Sequence, residues 1–165
     1  MVMRYMHIAA WTLVITGAFA TSDLVAAASS EGVRKQGSLG VHEYCSADLD
    51  EGRADCMITL DGDGTEPPTH PRGKGYDFWY QPAGRARYLV AQNGALLAPG
   101  GPTEAGRSGC ADATYAKSRI RVDRLPPGTH ICVRTSAGRF AEFRLNPSID
   151  AKKCVVSITY ITWEE

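Results

Sequence analysis

From Cys56 to Trp163 the chain is a succession of short apolar runs cut by turn residues, and no stretch keeps helical spacing. Cys56–Leu60 is followed by an Asp/Gly turn, and residues 66–75 are a Pro- and Gly-rich connection. Tyr76–Tyr80 is aromatic and strand-prone, and Arg87–Ala91 follows the Pro82–Gly84 turn. Asn93-Gly94, whose residues both tolerate positive φ, is a strong hairpin signal leading into Ala95–Ala98. Ser118–Val122 alternates polar and apolar residues, and Leu125–Gly128 turns the chain. Ile131–Thr135 and Phe140–Leu145 read as a hairpin across residues 136–139, and the β-branched run Val155–Trp163 closes the series. Strands at this spacing predict an all-β fold, a small β-sandwich or barrel, with any helix confined to Ala111–Tyr115.

Ahead of these runs, Arg4 precedes an almost wholly apolar segment, Ile8–Ala20, and then a zone of small residues reaching Ser30. A charged start, an apolar core of roughly a dozen residues and an A-x-A-like end predict a secretory signal peptide. Ala18-Phe19-Ala20 and Ala26-Ala27-Ala28 compete as cleavage sites. Cleavage after Ala28 makes residues 1–28 the signal peptide and 29–165 a single β-rich domain. The apolar run is shorter than the roughly 20 residues that span a bilayer, so no stable membrane insertion is expected once it is removed. The expected location is secreted, periplasmic or at the cell surface.

Export changes the meaning of the five cysteines, because an oxidising compartment favours disulfides. Cys110 with Cys132 is the first pairing expected, and Cys45 with Cys56, flanking one candidate hairpin, is the second. Cys154 is left unpaired or available to link two chains, although Cys45 is an alternative partner for it. No C-x-x-C or closely spaced C…H pair occurs, which argues against zinc.

Lys plus Arg and Asp plus Glu number 18 each, so no whole-molecule field steers the chain toward nucleic acid. The arginines of Arg119–Arg124 alternate with apolar residues, as on the wet face of a strand.

Three constellations bear on chemistry. Met57–Leu60 followed by Asp61-Gly-Asp63-Gly-Thr65 matches the D-x-D-x-T nucleophile motif of haloacid-dehalogenase-like phosphatases. That chemistry needs a parallel α/β sheet, and no βαβ rhythm is present, so an Asp/Gly turn is the expected reading. Asp61 and Asp63 are calcium candidates of a loose surface kind, since neither register supplies the Gly and Glu of an EF-hand. No serine sits in a G-x-S-x-G elbow, and His130 beside Cys132 reads as a strand-surface residue. No catalytic residues, metal or cofactor are assigned. Among the aromatic run one face must turn outward if the sheet has a wet side. Trp79 and Tyr80, with Arg134 and Arg139 farther along, are the candidate ligand-binding residues.

The series Asp77-Phe-Trp-Tyr80, Asn93-Gly-Ala95, Cys110, Leu125–Gly128, Ile131-Cys-Val-Arg-Thr135 and Gly138-Arg139 up to Leu145 resembles a poorly characterised module of bacterial exported and multidomain proteins. Asp48-Leu-Asp50 corresponds to the D-L-D that tends to open it. The resemblance implies a non-catalytic accessory or sensory domain and carries no active-site residues with it. Cys56–Gly64 and the tail from Lys152 depart from the pattern. The expectation is an exported, non-catalytic binding module whose partner is an extracellular protein or glycan. A small secreted hydrolase using Asp61 and Asp63, or a secreted enzyme inhibitor, is the alternative.

Overall fold

A computed structural model of the chain describes residues 32–56, 74–115, 118–146 and 154–165. The segment expected to be a signal peptide, the Met57–Leu60 run, Asp61 and Asp63 lie outside these residues.

Ten strands are described: β1 (Val33–His42), β2 (Ser46–Asp48), β3 (Arg53–Asp55), β4 (Phe78–Ala83), β5 (Ala86–Ala91), β6 (Leu96–Pro99), β7 (Arg119–Arg121), β8 (His130–Arg134), β9 (Phe140–Leu145) and β10 (Val155–Trp163). One short helix, α1 (Gly106–Ala111), interrupts them, with a single 3₁₀ turn at Val122–Arg124. The strands form two antiparallel five-stranded sheets, ordered β1-β10-β9-β8-β6 and β3-β2-β4-β5-β7. The fold is a small, disulfide-braced β-sandwich, as the run-and-turn pattern predicts.

Period-two alternation builds the core. From the first sheet Val41, Val133, Phe143, Leu145, Val156 and Ile158 point inward; from the second, Ala47, Phe78, Tyr80, Leu89 and Ile120 meet them. Phe78 and Phe143 join the layers with ring centroids 5.4 Å apart. Two disulfides form, Cys45–Cys56 closing the β2–β3 hairpin and Cys110–Cys132 tying α1 to β8. Cys154 is exposed and in no disulfide.

Several elements differ from the expectation. The Asn93-Gly94 turn forms, with φ of 50° and 82° and a 2.8 Å bond from the Ala95 N–H to the Gln92 carbonyl. It joins no hairpin, because β5 belongs to one sheet and β6 to the other. The turn carries the chain across the sandwich. The helix lies at Gly106–Ala111, earlier than Ala111–Tyr115, because the bridge and a capping carboxylate from β9 fix its place. The first strand, β1, carries too few apolar residues to be legible; most of it is exposed at a sheet edge.

Candidate functional site

On the outer face of the first sheet, register sets the side chains in rows. Cys132 lies opposite Glu142, which lies opposite Ile161 and then Gln36. One row on, His130, Arg144, Thr159 and Ser38 align in the same way. At the other end Trp163 and Phe140 pack with Cys132, Cys110, Ala98 and Tyr115 in a small second core beneath α1. The face is thus apolar and roofed at one end, polar and open at the other.

Residues 99–115 form the roof. Besides the disulfide, Glu142 holds it in place: its Oε1 accepts the Ala105 N–H and its Oε2 the Gly106 N–H, both at 2.9 Å. The carboxylate satisfies amides at the start of α1 that have no partner within the helix. The Tyr115 hydroxyl donates to the Cys110 carbonyl at 2.8 Å, and burial pushes this phenol up to about 12.

Between the roof and the β1 edge lies a cleft of about 630 Å³, lined by Gln36, Ser38, Glu104, His130, Arg144 and Thr159 among others. His130 Nδ1 is 2.8 Å from Glu142 Oε1. A carboxylate accepts this bond and Nδ1 donates it, so in the neutral ring Nε2 is left as the acceptor. Arg144 and Glu104 are exposed and form no ion pair among the described residues. Thr159 donates to Asn146 Oδ1 at 3.2 Å and lies 3.4 Å from the Ser38 hydroxyl.

A second cluster occupies the far end of the sandwich, and the motifs of the resemblance meet there. Asp77, wholly buried, accepts the Leu49 N–H at 2.8 Å and the Ser136 N–H at 2.7 Å. Asp48 Oδ1 accepts the Asp50 and Glu51 N–H groups, each at 3.1 Å, and its Oδ2 faces Arg53. Arg139 lies 3.4 Å from Asp50. Asp48-Leu49-Asp50, Asp77 and Arg139 therefore tie the β2–β3 turn and the β8–β9 turn to the lead-in of β4. Burial first, then the neighbouring Asp50 and Asp48, push the Asp77 carboxyl up to about 6 against the pull of its two backbone bonds. Burial likewise raises Asp48. One oxygen from each of Asp48, Asp50 and Asp77 lies within 4.8 Å of the others, a spacing that would suit a cation. Both oxygens of Asp48 and Asp77 are already engaged by N–H groups or Arg53, and Arg139 supplies a counter-charge, so the cluster reads as a structural clasp.

The four residues expected to bind ligand are dispersed. Tyr80 is corrected: it is 1% exposed and its ring fills the core, because Phe78 and Tyr80 share the inward face of β4. Trp79 is half-buried on the outer face of the second sheet, opposite Val90 and Ser46. Arg134 is exposed on the first sheet, and Arg139 belongs to the clasp. Sequence reasoning missed Gln36, Ser38, Glu104, Glu142, Arg144 and Thr159. The hairpin across residues 136–139 could have placed His130 against Arg144 and Cys132 against Glu142, but nothing in the sequence aligned β10 and β1 beside them.

Fold and site together define a disulfide-braced antiparallel β-sandwich with a polar cleft on one outer face. Compared with protein-family models, curated proteins and solved structures, the chain finds no match.

Proposed function

We propose that this is an exported, non-catalytic binding module that takes a polar extracellular ligand, part of a glycan or of a protein, in the cleft of the first sheet. The carrying observation is the cleft's construction. A carboxylate at its base and a disulfide at its back hold a rigid wall beside a floor of hydroxyl, amide, imidazole and guanidinium groups. Preorganised polar groups in a concave site give specificity at low ordering cost.

Export is supported by the apolar Ile8–Ala20 segment and by the two disulfides, which persist in oxidising compartments. Among the described residues no helix is long and apolar enough to cross a membrane. Both oxygens of Glu142 accept backbone N–H groups, so the carboxylate beside His130 also holds the roof in place.

Glycan and peptide arrays probed with the oxidised chain, natural and Ser38→Trp, test the proposal. Ser38 is exposed on the cleft floor, so a bulky ring there fills the cleft without entering the core. Binding present in the natural chain and lost in the variant is the expected result. Binding that the variant retains would place the site elsewhere. Mg²⁺-dependent turnover of a phosphomonoester, abolished by Asp61→Asn, would support the hydrolase instead.

A further inference from the structure

The cleft's donors and acceptors are arranged for one chemical class of ligand, and this step rests on the reading of the cleft as a binding site. In the row Ser38, Thr159, Arg144 and His130, adjacent strands lie about 5 Å apart, so the row spans a length comparable to two or three sugar rings. Arg144 is the cleft's uncommitted cation among the described residues and stands directly opposite His130. Its guanidinium matches a carboxylate in plane and in number of donors.

The flanking groups favour hydroxyls. Glu142 accepts from His130 Nδ1, so in the neutral ring Nε2 is the acceptor. The Glu104 carboxylate accepts only. Thr159 donates its proton to Asn146 and can accept that of Ser38, 3.4 Å away, so each hydroxyl oxygen keeps a lone pair for a ligand hydroxyl, while the Gln36 amide can donate or accept. Three acceptor-biased groups beside one anion receptor suit a molecule with several hydroxyl donors and one negative charge. The Ile161 side chain in the same cleft offers a modest apolar surface for ring C–H groups. The lining includes no deep apolar hole for a peptide's anchor side chain.

We infer that the cleft binds a carboxylated sugar, a uronate-type residue within an acidic saccharide, with its carboxylate on Arg144 and its ring hydroxyls on His130, Glu104, Thr159 and Ser38. Titration calorimetry of the full oxidised chain with an oligogalacturonate, its methyl ester and a peptide bearing a free carboxyl terminus tests this. Expected is binding of the acid about tenfold or more tighter than the ester, a preference abolished by Arg144→Ala with the melting temperature unchanged. Lys in place of Arg144 should restore part of the preference, since it keeps the charge and loses the planar fork. Equal binding of acid and ester, or a preference that survives Arg144→Ala, would overturn the sugar-acid assignment. If both saccharides bind and Ser38→Trp removes both, the cleft survives as a site while this ligand class fails. Binding of the peptide alone, lost in Ser38→Trp, has the same meaning. If none of the three binds, the assignment to sugar acids fails, and the arrays with Ser38→Trp decide separately whether the cleft is a site.

Discussion

Asp77, just ahead of β4, accepts a 2.7 Å hydrogen bond from the backbone N–H of Ser136 in the turn between β8 and β9. The two residues belong to different sheets, so one buried carboxylate holds the layers together at this end. Its second oxygen binds the Leu49 N–H, and Thr162 of β10 donates to the Leu49 carbonyl at 2.9 Å. The clasp thus joins β4, the β2–β3 turn, the β8–β9 turn and β10.

This arrangement predicts a specific pH dependence. The folded chain raises the Asp77 carboxyl from 3.8 to about 6, so the neutral form is favoured in the fold. The associated stability is fully present below about 3.8 and is lost as pH rises through about 6, a contribution on the order of 3 kcal/mol. Asp48 shifts in the same direction. Asp123, held near 2 by Arg121, acts oppositely in a lower window: its stability is present above about 3.8 and lost as pH falls through about 2. Melting curves between pH 4 and 7 should show the Asp77 contribution as a falling slope that Asp77→Asn flattens. A slope unchanged in that variant would refute the assignment. The variant should also be less stable by about 1–3 kcal/mol, since an amide nitrogen cannot accept one of the two N–H bonds.

Glu142 anchors the roof more than it anchors the core. Replacing it with Gln leaves one of the Ala105 and Gly106 amides facing a donor, at a cost of about 1–3 kcal/mol. Amide hydrogen exchange should quicken across residues 100–115 while β9 and β10 stay protected. Uniform acceleration along the chain would show that the carboxylate supports the whole fold.

The two disulfides close segments of 22 and 11 residues. Chain-entropy arithmetic gives each roughly 3 kcal/mol, with the longer loop slightly ahead. Removing Cys110 and Cys132 together should also free α1 from β8 and weaken cleft binding, whereas removing Cys45 and Cys56 together should lower the melting point with less effect on the cleft. Equal loss of binding in both double variants would contradict this division.

Gly52 sits at φ 67°, and a Cβ there would collide with the Tyr160 hydroxyl. Gly52→Ala combines left-handed backbone strain with displacement of a buried ring, and should cost at least about 1–3 kcal/mol in denaturant unfolding. Gly84→Ala, at φ 62° in open space, isolates the backbone part of that cost.

Cys154 is exposed and outside both disulfides, so thiol titration of the native oxidised protein should find one reactive group per chain. Non-reducing electrophoresis would show any disulfide-linked dimer, and Cys154→Ser should abolish it.

What the sequence determined by itself is local. Alternation in Ala141–Leu145 and Val156–Tyr160 marks both the strand and its buried face, because successive side chains must point to opposite sides, whereas apolar Ile161 outside and Thr162 inside reverse it. The Asn93-Gly94 turn was legible because few other residue pairs accept two positive φ angles in succession. Tertiary structure alone decided which strands became neighbours. Hydrogen-bonded pairing between distant strands leaves no trace in local composition, so β1, polar and at an edge, could not be placed against β10. The same reason hid the cleft, whose floor exists only where His130, Arg144, Thr159 and Ser38 fall into register across four strands. It also hid the clasp: three aspartates and an arginine scattered through the chain become one buried network only when the two sheets close on each other.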